Sequence, residues 1–191
     1  MLADIITGER DEDMADDTAA LVRELKDRQE IYDCIMRYCR GIDRLDRDML
    51  LSAYHPDAID DHGTYCGPVP GFADHVFELH YGMQHYTQHH ITNHRCELDG
   101  DTAHTESYYL FRCLNRETPF YNFSSGRYID RFERREGRWA IAARICLVEV
   151  RDEIWGPQGI ENNVGYVDSV RDGSDPSYMR PLVIDRARFT V

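Results

Sequence analysis

Four side chains of types that move protons or hold charge sit where the sequence pattern turns them inward: Asp43, one of the pair His89 and His90, Arg144 and Tyr38. At about 100° per residue, Ile31, Ile35, Tyr38 and Ile42 fall on one line of a helix, and Tyr32, Met36 and Cys39 widen that apolar arc. Asp43 lies inside the arc, between Cys39 and Met36, while Glu30, Asp33, Arg37 and Arg40 occupy the other side. A carboxylate placed there needs a partner to offset its desolvation, unless it caps or frays the helix end and faces water. In the run HYTQHHITNH, strand alternation puts His89 and His90 on opposite faces, so one of them points inward, either as a proton carrier near neutral pH or as a hydrogen-bonded structural histidine. A metal reading of His85, His89 and His94 is weak, because the same alternation sends 89 and 94 to opposite faces. Arg144 shares a face with Ala140, Ala142, Cys146 and Val148, opposite Trp139, Ile141, Ala143 and Ile145. That pattern is either a small-lined pocket wall with one polar tool or an edge-strand Arg paired at the surface. An acid beside an imidazole makes an oriented base, and Tyr and Arg donate to a carbonyl oxygen or a departing group. With Tyr109, Phe111, Tyr121 and Phe123 around them, these residues describe proton transfer in an aromatic pocket. No nucleophile motif, phosphate loop or dinucleotide fingerprint is present, so the expected cofactor is none and the expected metal is none.

The elements that must position these residues are helices first and strands afterwards. The helical pattern runs from about Asp17 to Arg44, and a short second helix from Asp46 to Tyr54. Ala58 to His62 reads as a short strand, residues 63–68 as a turn, and Pro70 to Met83 as a third helix. His85–Leu98, Thr102–Asn115, Phe120–Arg134 and Arg138–Arg151 read as long strands, with Asp99-Gly100-Asp101 and Arg135-Glu136-Gly137 as hairpin turns. The fold class is therefore α+β: three N-terminal helices on a strongly curved antiparallel sheet, a cone with one open end. Residues 1–16 read as a flexible acidic arm, 17–155 as the domain, and 156–191 as an extension that either closes the pocket or contacts a neighbouring subunit.

Composition narrows the partners. The 191 residues carry 22 Lys and Arg against 35 Asp and Glu, a net charge of −13, which argues against nucleic acid and anionic membranes. No stretch approaches the roughly 20 apolar residues of a membrane span. The acidic opening, MLADIITGERDEDMADD, resembles no signal peptide, so a cytoplasmic protein is expected. The six cysteines show no Cys-x-x-Cys spacing and read as reduced, small apolar residues.

Ile35-Met-Arg-Tyr38-Cys-Arg-Gly-Ile-Asp43-Arg-Leu-Asp46 and Tyr54-His-Pro-Asp57-Ala58 resemble the SnoaL-like branch of the nuclear transport factor 2-like superfamily. So do Thr87-Gln-His89-His-Ile-Thr-Asn93-His94, Asp99-Gly-Asp-Thr-Ala103, Gly126-Arg-Tyr128-Ile-Asp130 and Gly137-Arg-Trp139, the likeness covering about residues 20–152. The resemblance implies a nuclear transport factor 2-like (cystatin-like) cone with a deep apolar pocket, in homodimers or homotrimers. The branch includes bile acid dehydratase, scytalone dehydratase and lindane dehydrochlorinase, in which a His–Asp pair removes a proton while a neighbouring group leaves. Carried over, Asp43 and His89 match that dyad, which selects His89 over His90; Tyr38 and Arg144 match charge-stabilising positions. Asn93, Tyr109, Phe111, Tyr121 and Phe123 are expected to contact the substrate. A counterpart of the additional acidic residue that some members carry on the middle strand is missing; the polar residues there are Glu106, Ser107 and Arg112. The expected activity is a cofactor-independent lyase that eliminates water, halide or formaldehyde from a small hydrophobic cyclic or aromatic alcohol. A ketosteroid-isomerase-like proton shuttle and a non-catalytic small subunit of a ring-hydroxylating dioxygenase are the alternatives.

Overall fold

The computed structural model describes residues 2–117, 120–155 and 169–183. Helix α1 spans Leu2–Arg44, α2 Arg47–Leu51 and α3 Val69–Met83; strands are β1 Tyr54–Asp61, β2 Cys66–Pro68, β3 Gln84–Asp99, β4 Thr102–Asn115, β5 Phe120–Arg135 and β6 Arg138–Trp155. The six strands form one sheet in the order β2-β1-β6-β5-β4-β3, antiparallel except where β1 runs parallel to β6. The three helices pack on this curved sheet, as the α+β reading expects. No helix among the described residues is long and apolar enough to cross a membrane.

Helix α1 forms because Ile31, Cys34, Ile35, Tyr38, Cys39 and Ile42 recur at helical spacing, and all six are buried. Its end is set by a six-to-one bond from the Asp46 N–H to the Gly41 carbonyl (2.8 Å) and a bond from the Leu45 N–H to Ile42 (3.2 Å), with Leu45 in the left-handed region. Asp46 then accepts from the Met49 N–H at 3.0 Å and starts α2. Two findings differ from the sequence reading. The helix begins at Leu2 rather than near Asp17, so residues 2–16 are its first turns. Leu21 and Leu25 share the apolar period but are 62% and 67% exposed. The sheet takes hold of the helix from Asp27 onward, through Arg134 (2.9 Å) and the Trp139 indole (2.8 Å) at Asp27, and at Arg28, which donates to the Cys96 carbonyl at 2.7 Å.

Three register shifts decide which residues face the core. One on β3 lies between Ile91 and His94, and two between β5 and β6 lie at Ser125/Gly126 and Arg131/Phe132. Each adds a residue to one strand and reverses its alternation. His89 and Ile91 therefore face inward together with His94, Cys96 and Leu98, so 89 and 94 share a face after all. On β6, Trp139 and Ile141 face the same interior as Arg144 and Cys146, not the opposite side. Gly126 sits at one shift, where a Cβ would lie 1.8 Å from the Leu147 carbonyl oxygen. The β5–β6 hairpin closes through Glu136 and Gly137, both at positive φ (53° and 76°), the two-residue turn that matches strand twist.

Because the obstacle at Gly126 is backbone and cannot swing away, Gly126→Ala should destabilise the fold by about 1–3 kcal/mol. Urea unfolding followed by circular dichroism measures it, and an unchanged midpoint would refute the close approach.

Candidate functional site

A cavity of about 190 Å³ opens between α1, α3 and the inner face of the sheet. Tyr38 and Ile42 of α1, Phe72, Val76 and His80 of α3, and His62 just after β1 form one side. His89, Tyr109, Phe111, Ser124, Tyr128 and Cys146 of the sheet form the other. The walls are mostly apolar, so the few polar atoms that reach the cavity decide its chemistry.

His89 is the first of them. Its Nδ1–H donates to Asp43 Oδ1 at 2.7 Å, and its backbone N–H donates to Asp43 Oδ2 at 2.9 Å. The second bond locks the carboxylate to the strand as well as to the ring. Nδ1 is therefore turned to Asp43, and Nε2 lies on the other edge of a ring that lines the cavity. Burial by itself would raise the Asp43 carboxyl, but the attraction of His89, its two hydrogen bonds and one from Thr87 hold it below the usual carboxylate range. The Phe111 ring lies 4.7 Å from the imidazole, centroid to centroid, and the His80 ring stands perpendicular to it at 6.3 Å. Burial pushes His80 down to about 4, so it stays neutral beside the dyad.

A second acid–imidazole pair, Asp60 with His62, flanks the same cavity. His62 Nδ1 donates to Asp60 Oδ1, the Tyr54 hydroxyl donates to Asp60 Oδ2, and His62 Nε2 lies 3.2 Å from the Tyr38 hydroxyl. Burial works against the His62 cation, but the Asp60 carboxylate outweighs it and raises the ring to about 9. The sequence reading placed both residues on a short strand and assigned them no role. Their Asp-x-His spacing at the end of β1 was the available signal.

Arg144 is fully buried and outside the cavity wall. It makes a bidentate pair with Asp130 (2.6 and 2.7 Å) beneath the rings of Tyr38 and Tyr128, whose centroids lie 4.1 and 4.2 Å from its Cζ. It therefore meets the cavity only through those rings, and its side chain is not the direct pocket wall that the sequence pattern offered as one reading. Two further corrections concern the expected substrate contacts. Tyr121 and Phe123 alternate with the inward Ser124 and lie on the outer face, where Arg112 stacks on Tyr121 at 4.7 Å. Asn93 sits in the β3 bulge and is exposed, whereas Tyr109 and Phe111 do line the cavity. His90 is exposed on the outer face. Among the described residues no group of three His, Cys, Asp or Glu is placed to hold a metal ion.

The described part of the C-terminal extension, residues 169–183, packs on this same end of the molecule. Arg171 donates to the carbonyls of Asp43 (3.1 Å), His80 (3.2 Å) and Gln84 (3.2 Å), and to Thr87 Oγ1 at 3.4 Å. One guanidinium thus satisfies carbonyls in the last turns of both α1 and α3, where a cation is favoured, and ties them to the start of β3. Tyr178 donates to Asp46 at 3.2 Å, and Arg40 stacks on its ring at 4.9 Å. Residues 156–168 and 184–191 lie outside the described residues.

The SnoaL-like domain family matches residues 23–145. Solved structures share the fold. A type 2 hexachlorocyclohexane dehydrochlorinase superposes with TM-score 0.65 at 23% identity, over 72% of this chain and 97% of that one. A scytalone dehydratase-like protein from Novosphingobium aromaticivorans gives 0.63 at 15% identity, over 71% and 95%. A protein with a cystatin-like fold from Nostoc punctiforme gives 0.53 at 19% identity, over 64% and 91%. No curated protein matches the chain.

Two outcomes follow from this geometry. The folded-state value of His62 lies above its ordinary 6.5, so its contribution to stability is complete below about pH 6.5 and fades as pH rises through about 9. The native protein should lose unfolding free energy over that window, and Asp60→Asn should abolish the slope; parallel pH–stability curves would contradict the pairing. Arg171→Met should remove charge-assisted bonds worth about 1.5–3 kcal/mol. The loss should show as a lower urea midpoint and faster amide exchange at Gln84–His89, and unchanged exchange would remove the clasp from the account.

Proposed function

The chain belongs to the SnoaL-like domain family, and on that premise we propose that it is a cofactor-independent lyase. The single observation that carries the reading is His89, held by Asp43 at its Nδ1 and presenting Nε2 to an apolar cavity. A basic nitrogen facing an apolar chamber can take a proton from carbon, and Asp43 holds the imidazolium that results. Loss of a group from the neighbouring carbon then forms an alkene, with water, halide or formaldehyde departing. Tyr38 offers a hydroxyl to developing charge in the cavity; burial holds its proton on well above the ordinary phenol range, and Arg144 beneath its ring partly offsets that rise. Phe72, Phe111 and Tyr109 suit a hydrophobic cyclic or aromatic alcohol of a size fitting the chamber. The fold neighbours include a dehydrochlorinase and a dehydratase-like protein, which supports a small-molecule lyase or isomerase.

An isomerase of the same toolkit would return the proton to the substrate, whereas a lyase changes the product's mass. Purified protein incubated with hydroxylated aromatics, lignin-type dimers and sterols should yield a product lighter by water, formaldehyde or hydrogen halide. In mass spectrometry, His89→Ala and Asp43→Asn should reduce that turnover by about 10²-fold or more. A product of unchanged formula with solvent deuterium incorporated would establish the isomerase instead, and full turnover by both variants would rule out the dyad.

A further inference from the structure

The base side of the cavity leaves the departing group unassigned, and the opposite wall holds a buried chain of polar groups that the base does not use. Asp60 has no solvent exposure, and its two carboxylate oxygens each accept a hydrogen bond, from Tyr54 and from His62 Nδ1. Arg144, in register with it on β6, pairs through Nε and Nη2 with Asp130 and makes no hydrogen bond to Asp60, its Nη1 being buried without a hydrogen-bond partner. The countercharge for Asp60 is therefore the His62 imidazolium. An imidazolium donates from both nitrogens, so Nε2–H donates to the Tyr38 oxygen 3.2 Å away, and the Tyr38 proton must point elsewhere. Tyr38 is a cavity-lining residue, and its ring lies 6.5 Å from that of His89, so acid and base stand on facing sides of one chamber. The Phe72 ring stacks on His62 at 4.6 Å on the α3 side.

We propose that Asp60 and His62 form an acid-side relay that fixes Tyr38 as proton donor to an oxygen leaving group, so that the site suits substrates that lose a hydroxyl as water. The inference rests on the lyase reading and names its substrate class: a compound with a hydroxyl on the carbon next to an acidic C–H. His89 Nε2 takes the proton from carbon, the electrons of that bond form the C=C bond, and the C–O bond breaks. The departing oxygen takes the Tyr38 hydroxyl proton and leaves as water, while Tyr38 takes the Nε2 proton of His62. His62 ends neutral with Nδ1–H toward Asp60, and His89 ends as the cation; loss of a proton from His89 to solvent and uptake of one by His62 restore the start. A halide departs without needing that proton, so a relay of this kind serves hydroxyl loss specifically. Tyr38 is the catalytic residue, and His62 and Asp60 are positioning residues that act through it.

The titratable groups facing His62 are Asp60 on β1, Tyr38 on α1, Tyr128 on β5 and Cys146 on β6, with His75 on α3 at the cavity wall. Nitrogen-15 NMR of histidine-labelled native protein should find both ring nitrogens of His62 protonated at pH 7, with titration near 9 that Asp60→Asn moves down. A neutral ring with a bare Nε2 at pH 7 would make Tyr38 the donor to His62 and overturn the relay. The kinetic test pairs 4-hydroxy-4-phenylbutan-2-one with its 4-chloro counterpart, corrected for spontaneous loss of chloride. His62→Gln should lower turnover of the hydroxy ketone by about 10²-fold and leave the chloro ketone almost untouched. Equal loss on both would reduce His62 to a structural role and defeat the proposal. Native protein inert to both ketones would count against the lyase reading, and the NMR measurement would still decide the relay.

Discussion

A carboxylate stays ionised inside an apolar chamber only where hydrogen-bond donors or a cation hold its charge, and this molecule sets three of them beside one cavity, Asp60 and Asp130 buried and Asp43 partly buried. Asp43 is held by His89, Asp60 by His62 and Asp130 by Arg144. The first pair joins α1 to β3 across 46 residues, the second joins the end of β1 through Tyr38 to α1, and the third ties β5 to its hairpin partner β6. The helices and the sheet are thereby fixed to one another at the points where their backbones need polar partners least and their charges need them most. Removing one member of any pair leaves a buried charge uncompensated, so the chemistry and the integrity of the cone share the same residues.

The three pairs differ in what they leave for a substrate. Arg144 and Asp130 meet each other bidentately and are sealed beneath Tyr38 and Tyr128, so their effect is felt through the faces of those rings. The two histidine pairs are open on one edge. His89 offers a basic Nε2, and His62 meets the Tyr38 hydroxyl. Desolvation and neighbouring charge drive the two imidazoles in the cavity with resolved preferences apart: His80 is neutral, while His62 holds its proton. A chamber with one proton acceptor and one proton-bearing wall has a direction built into it.

The extension after the sheet adds a constraint of a different kind. Helices α1 and α3 both end next to β3, each with carbonyls that the helix itself cannot satisfy. Arg171 meets both sets and reaches Thr87, whose hydroxyl bonds Asp43. The orientation of the dyad is thus supported from a segment more than eighty residues further along the chain than His89.

The order of elements, the α+β class and the hairpin turns were legible in the sequence because they follow from local period and turn chemistry. Strand bounds such as Thr102–Asn115 reappear unchanged. The inward direction of Asp43 was legible for the same reason, since the apolar arc of one helix defines a side. What could not be read was parity beyond a bulge. The extra residues on β3 and β6 put His94 beside the His89 face and Arg144 beside Trp139, and a strict two-residue alternation predicts the reverse. The outward turn of Tyr121 and Phe123 was hidden too, because their apolar character fits either face of a sheet. Leu21 and Leu25 show the same limit on a helix: their period names a face, but whether a layer lies opposite depends on where the sheet ends. Residue type and spacing by themselves determined which groups could move a proton and which helix face would carry an acid. Only the tertiary structure decided which acid meets which base, because those partners are brought together by strand register and by a C-terminal arginine, and neither leaves a local trace.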